Sequence, residues 1–283
     1  MKNALKYGAL ALGLLVAMGA QATPSWSVQF SGSGSTDSLG DPTAATSYTS
    51  GSVGLTISGA YAADGTNNSG LASGNWTTTG AHSTVTYYGG YGLAMDSDGN
   101  QVPNHALDNN GNTEAVLMSF TQAVALSQLT LGYVCTGVVN NTTCDAHGAN
   151  VSIFAYTGTG SPANLNAVAA GSMPSTAGTQ AANGWTLVGN YAGLQQSVTN
   201  NVNASNTASS WFLVSAYNTA FGTNSANGNA SWLSEGTDYF KIYSVAGSTP
   251  STTKKTPEPG SLALAGVALL GAAWTRRRGA RKA

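Results

Sequence analysis

No window between Trp26 and Val245 keeps the three-to-four-residue apolar spacing of an amphipathic helix; short apolar runs alternate with polar residues instead. Trp26–Phe30 and Val53–Ile57 alternate strictly. Thr84–Tyr88 does so in part, and Ala115–Phe120, Val124–Val134, Val151–Tyr156, Trp185–Val188, Trp211–Val214 and Tyr239–Val245 follow. Each run is closed by Gly, Asn, Asp or Pro, which supply the dihedral angles of tight turns. The pattern predicts an all-β fold of about nine strands, a single β-sandwich of jelly-roll-like type. Pro162–Ala170 has room for one short helix, and Ser31–Gly34 reads as a turn or mobile loop.

Charge narrows the partners. Between Thr23 and Thr249 the only cation is Lys241, against ten carboxylates, a net charge of −9. A surface of that sign argues against nucleic acid or anionic lipid as a partner and tolerates divalent cations. Only 7% of the chain is charged while 42% is hydrophobic, so there is apolar material for a core.

The two ends read as addresses. Lys2 and Lys6 precede an apolar stretch, Ala9 to Met18, and Ala20-Gln21-Ala22 offers small residues for cleavage; residues 1–22 are expected to be a secretory signal peptide. At the other end Pro257-Glu258-Pro259 is followed by an apolar run, Leu262–Trp274, and then by Arg276, Arg277 and Arg278. As a helix that run spans about 20 Å, short against a hydrocarbon core of roughly 30 Å, so flanking residues and snorkelling arginines must complete the crossing. The arginines act as a cytoplasmic stop, leaving what precedes Pro257 on the far side of the membrane. The expected organisation is a β-sandwich domain over 23–246, a flexible stalk over 247–256 and a sorting segment over 257–283.

This ordered trio of rigid acidic tripeptide, short transmembrane helix and Arg-rich tail resembles the PEP-CTERM sorting signal of Gram-negative bacteria. The resemblance implies export through the Sec translocase and a transient inner-membrane intermediate. Cleavage by an exosortase near the tripeptide and release to the cell surface or beyond would follow. The blocks between His105 and Gly158 are similar to a class of exosortase-dependent surface proteins and, loosely, to carbohydrate-binding jelly rolls.

Cys135 and Cys144 are the only cysteines, and in an exported chain such a pair predicts one disulfide. Asp108, Asn110, Asn112 and Glu114 place hard oxygens at every second position, Asp96, Asp98 and Asn100 repeat the spacing, and Asp145 is available from the disulfide loop. Two readings stay open: a Ca²⁺ site, or an Asx-rich turn whose side chains bond their own backbone. Neither run has the spacing of an EF-hand.

Catalytic motifs are sparse. His82, His105 and His147 are scattered, and neither G-x-S-x-G nor H-E-x-x-H occurs. His105 with Asp108 has the composition of a catalytic pair, or of a loop hydrogen bond. Trp76, Tyr87, Tyr88 and Tyr91 have rings that stack on sugars or simply fill a core. The expected protein is a non-enzymatic structural or adhesive component of a polysaccharide-rich envelope or biofilm, with exopolysaccharide as a partner. The alternatives are a Ca²⁺-dependent carbohydrate-binding module and, third, a secreted glycoside hydrolase.

Overall fold

A computed structural model describes residues 23–37, 40–66, 70–80, 83–95, 97, 105–139, 141–162 and 164–250. The expected signal peptide over residues 1–22, Asp96, Asp98, the sorting tripeptide and the arginine tail lie outside them. The described residues are all-β: sixteen strands and a few single turns of 3₁₀-helix, with every named strand pair antiparallel. Fourteen strands join in one large sheet.

The organiser is β9, Asn112–Val134. It covers two predicted runs, because Thr121, Gln122 and Ala123 break the apolar pattern as an exposed bend without ending the strand. Before the bend it runs between β5 (Val53–Ala63) and β15 (Ala208–Ala216), which pairs with β12 (Ala149–Tyr156) and through it with β13 (Trp185–Leu194). After the bend it pairs with β16 (Tyr239–Ser248) and β14 (Thr199–Asn201). One strand thus serves two layers, as strands that turn the corner of a sandwich do.

The other edge of β16 is shared by β1 (Trp26–Gln29), β7 (Gly92–Ala94) and β8 (Leu107–Asp108). From β7 the sheet continues through β6 (Thr86–Tyr88) and β3 (Pro42–Ala44) to β2 (Gly32–Thr36). β4 (Ser47–Ser50) pairs with β5. A separate hairpin, β10 (Gly137–Val139) with β11 (Thr142–Cys144), fills the segment between the cysteines.

Side chains sort with the period of two that a pleated strand imposes. Val116, Met118, Phe120, Ile153, Phe212 and Val214 meet Val28, Leu126, Leu129, Phe240 and Ile242 in the main core, giving a sandwich-like arrangement. Their neighbours Ala115, Phe154 and Leu213 face the other way, into a second core with Trp76, Leu165, Val168, Trp185 and Phe221. Strand β12 is therefore covered on both faces, which explains its nearly unbroken apolar sequence.

Three expectations change. Ser31–Gly34 is not a loop: Gly32–Thr36 is an exposed strand held by pairing to β3 and by Ser33 and Ser35 hydroxyls on Thr43. The last strand runs through Ser248, past the expected domain edge at 246, because Gly247 and Ser248 pair with Leu126 and Ala125. Pro162–Ala170 yields 3₁₀ turns at Leu165–Ala167 and Ala170–Ser172 in place of a helix.

Candidate functional site

The Asp/Asn-rich segment uses its acidic side chains on its own backbone. Glu114 is 1% exposed, and its two carboxylate oxygens accept the amides of Ser97 and of Asp108, the latter at 3.1 Å. Asp108 Oδ1 accepts the Asn110 amide at 2.9 Å, an Asx turn, and Asn112 Nδ2 donates to Ser97 Oγ at 2.9 Å. Asp145 belongs to a different network, and Asp96 and Asp98 lie outside the described residues. Among the described residues no three His, Cys, Asp or Glu side chains gather as ligands of one ion.

The disulfide joins Cys135 to Cys144 at the base of the β10–β11 hairpin, both sulfurs packed with Ala106 and Tyr239. Directly after it, Asp145 accepts from the His147 amide (2.7 Å), His147 Nδ1 (3.1 Å), Asn150 Nδ2 (3.2 Å) and Ser234 Oγ. Burial raises its carboxyl, but these donors together outweigh burial and hold it below the usual carboxylate range. Asp238, 1% exposed, accepts the Asn150 amide at 2.8 Å and Asn109 Nδ2 at 2.9 Å. Burial, with the charge of Asp145 adding to it, pushes the Asp238 carboxyl well above its ordinary value.

A third acidic group was not visible in the sequence. Asp64, at the end of β5, accepts from Thr113 Oγ1 and Asn218 Nδ2, while Glu235 accepts from Thr219 Oγ1 at 2.8 Å and the Gly70 amide at 2.9 Å. Burial, with the Glu235 charge adding to it, pushes Asp64 up to about 7.

The sole cation of the domain sits in an aromatic pocket. Lys241, on β16, is 2% exposed, and its Nζ lies 4.2 Å from the centre of the Tyr133 ring, 5.0 Å from Tyr88 and 5.9 Å from Tyr91. Desolvation lowers its amine to about 8. Tyr133 comes from the strand opposite, in register with Lys241. Tyr88 and Tyr91 are the ends of a turn closed by a Tyr91 amide to Tyr88 carbonyl bond of 2.9 Å, with Gly89 and Gly90 between them.

Two glycines let that turn settle onto the sheet. A Cβ at Gly132 would stand 2.1 Å from the Tyr91 carbonyl oxygen, and one at Gly92, where φ is +110°, 2.2 Å from that of Ile242. His105 completes the wall, stacked on Tyr88 with centroids 5.0 Å apart and its Nδ1 3.2 Å from Asp41 Oδ2. Together Tyr88, Tyr91, His105, Tyr133 and Lys241 line a cavity of about 360 Å³. Of the other aromatic candidates, Trp76 is a core residue and Tyr87 packs against the main core.

No curated protein and no solved structure matches the chain. Residues 255–278 match the family model described as the PEP-CTERM protein-sorting motif, which takes in the tripeptide, the apolar run and Arg276 to Arg278. That motif implies processing by an exosortase and export by way of the membrane. The chain is therefore a protein bearing a PEP-CTERM sorting motif.

Proposed function

We propose that this is a cell-surface or extracellular-matrix protein of a Gram-negative bacterium, exported by the Sec translocase and cut by an exosortase. Its role is structural and adhesive, within a polysaccharide-rich envelope or biofilm, and it is not an enzyme. The observation that carries the reading is the sorting motif at 255–278. The domain's chemistry is in keeping with it. Asp108, Glu114, Asp145 and Asp238 each tie down backbone amides, which suits a rigid jelly-roll-like scaffold with long polar loops. The disulfide suits an oxidising compartment.

Antibody labelling of intact cells tests this. The protein is expected at the surface of exosortase-positive cells, with cell retention in the polysaccharide matrix falling when its gene is deleted. Labelling that requires permeabilised cells in both backgrounds would overturn the reading.

A further inference from the structure

We propose that two adjoining cavities, which meet at Ser58 on β5, bind a neutral glycan chain, with one sugar ring stacked on Trp211 and its neighbours held by hydroxyl groups. The choice of a glycan rests on the matrix reading above; the choice of a neutral one rests on the cleft itself.

Strand pairing sets Thr56, Ser119 and Trp211 in one cross-strand row and Ser58, Leu117 and Leu213 in the next. Leu213 faces the second core, so the pleat puts both rows on that side of the sheet. Leu165 and Val168 join Ala60, Ala115 and Leu213 in the buried part of that core, while Leu117 and Trp211 at its edge stay half-buried. Trp211 therefore keeps part of its indole in reach of solvent, beside the hydroxyls of Ser119 and Ser58. A pyranose needs that combination: its C–H face lies on an aromatic ring while its own hydroxyls meet polar groups at the side.

The smaller cavity, about 190 Å³, has Trp211, Trp185, Thr78, Asn164 and Ser58 in its wall. The larger, about 490 Å³, has Ser58 again, with hydroxyls that include Ser33, Ser35, Thr46 and Thr84. Sharing Ser58, the two lie side by side, an extent that suits a chain better than a single ring. The Ser58 and Thr84 hydroxyls have no hydrogen-bond partner among the described residues, so they are open to a ligand. Trp185 is 0% exposed, and its indole N–H has no acceptor among the described residues either; a sugar hydroxyl at that wall supplies one. No ionisable side chain is among the described residues lining either cavity, in a domain with ten carboxylates. A neutral sugar exchanges hydrogen bonds here without burying charge, whereas a uronic acid would bring a carboxylate that no cation meets. The domain's net charge of −9 adds to that penalty.

Calorimetric titration of the exported protein with linear hexasaccharides of glucose, mannose, galactose and N-acetylglucosamine tests the proposal. The parent monosaccharides, a glucuronic acid hexasaccharide and a Gly-Ser repeat peptide serve as comparisons. At least one neutral hexasaccharide is expected to bind, about tenfold or more tightly than its monosaccharide and than the glucuronic acid chain. Trp211→Ala weakens that binding by about fivefold or more. Ser58→Gln, at an exposed position that leaves folding intact, crowds the junction of the two cavities and weakens the hexasaccharide by about fivefold or more. No binding of any neutral hexasaccharide, equal or tighter binding of the glucuronic acid chain, or wild-type binding by either variant would overturn the proposal. Peptide binding as tight as that of the sugars would overturn it too, in favour of a protein strand as the occupant. None of those results touches the export and matrix reading, which is decided by surface labelling and cell retention.

Discussion

Asn109 and Asp238, 129 residues apart in the chain, hold each other by two hydrogen bonds that run in opposite senses: Asn109 Nδ2 to Asp238 Oδ2 at 2.9 Å, and the Asp238 amide to Asn109 Oδ1 at 3.0 Å. Asn109 Nδ2 also donates to the Tyr217 carbonyl at 2.7 Å, and Asn109 is 0% exposed. The clasp fixes the loop before β9 to the entry of β16. Asn109→Ala strands three buried polar partners and is expected to lower stability by roughly 2–4 kcal/mol in urea unfolding. A loss below about 0.5 kcal/mol would mean that water replaces the clasp.

The disulfide closes a segment of nine residues' separation, for which chain entropy gives about 2.6 kcal/mol. Replacing both cysteines with serine is expected to lower stability by about that amount. Mass spectrometry of unreduced peptides from the exported protein will find residues 135 and 144 linked; free thiols on both would contradict the structure.

Asp64 gives the domain a pH dependence of predictable sign. Its folded value of about 7 stands above the roughly 3.9 of an unfolded aspartate, so between those values the folded state holds a proton that the unfolded state releases. Stability therefore falls as pH rises through that window. Asp64→Asn removes this contribution: melting temperatures from pH 4 to 8 will show a shallower decline than wild type and a more stable variant at pH 8. Parallel curves would refute the assignment. Lys241, lowered to about 8, acts oppositely at higher pH, adding stability as pH climbs from about 8 towards 10.4.

At Asp108 the turn and ion readings separate cleanly. An asparagine side-chain oxygen can still accept the Asn110 amide, whereas alanine cannot. The Asx turn predicts Asp108→Asn within about 0.5 kcal/mol of wild type and Asp108→Ala about 1 kcal/mol less stable, alike in Ca²⁺ and in EGTA. A melting temperature that rises with Ca²⁺ in wild type and in neither variant would establish an ion site instead.

What the sequence showed was whatever depends on apolar periodicity. Trp26, Val28, Val53, Leu55, Ile57, Ile153 and Val214 alternate and are buried. Gly32–Thr36 has no apolar position, so its strand exists only through its partner and leaves no local mark. Thr121–Ala123 interrupts a pattern without interrupting a ladder, and so divides β9 on paper alone. The pocket was hidden for a similar reason. Lys241 on an apolar strand reads as one solvent-facing position, and nothing local says that Tyr88, Tyr91 and Tyr133 will surround it. Asp64 and Glu235 meet only because β5 and the loop before β16 end near each other. The cysteine pair was legible because composition leaves it a single pairing.

The central claim, that residues 255–278 direct cleavage and export, is tested most directly by the intact mass of the protein in membrane and surface fractions. Wild type is expected at the surface at a mass that lacks Arg276 to Lys282, while Glu258→Ala, or loss of the exosortase, leaves a larger form in the inner membrane. A surface form that retains Arg276 to Lys282 would contradict the account.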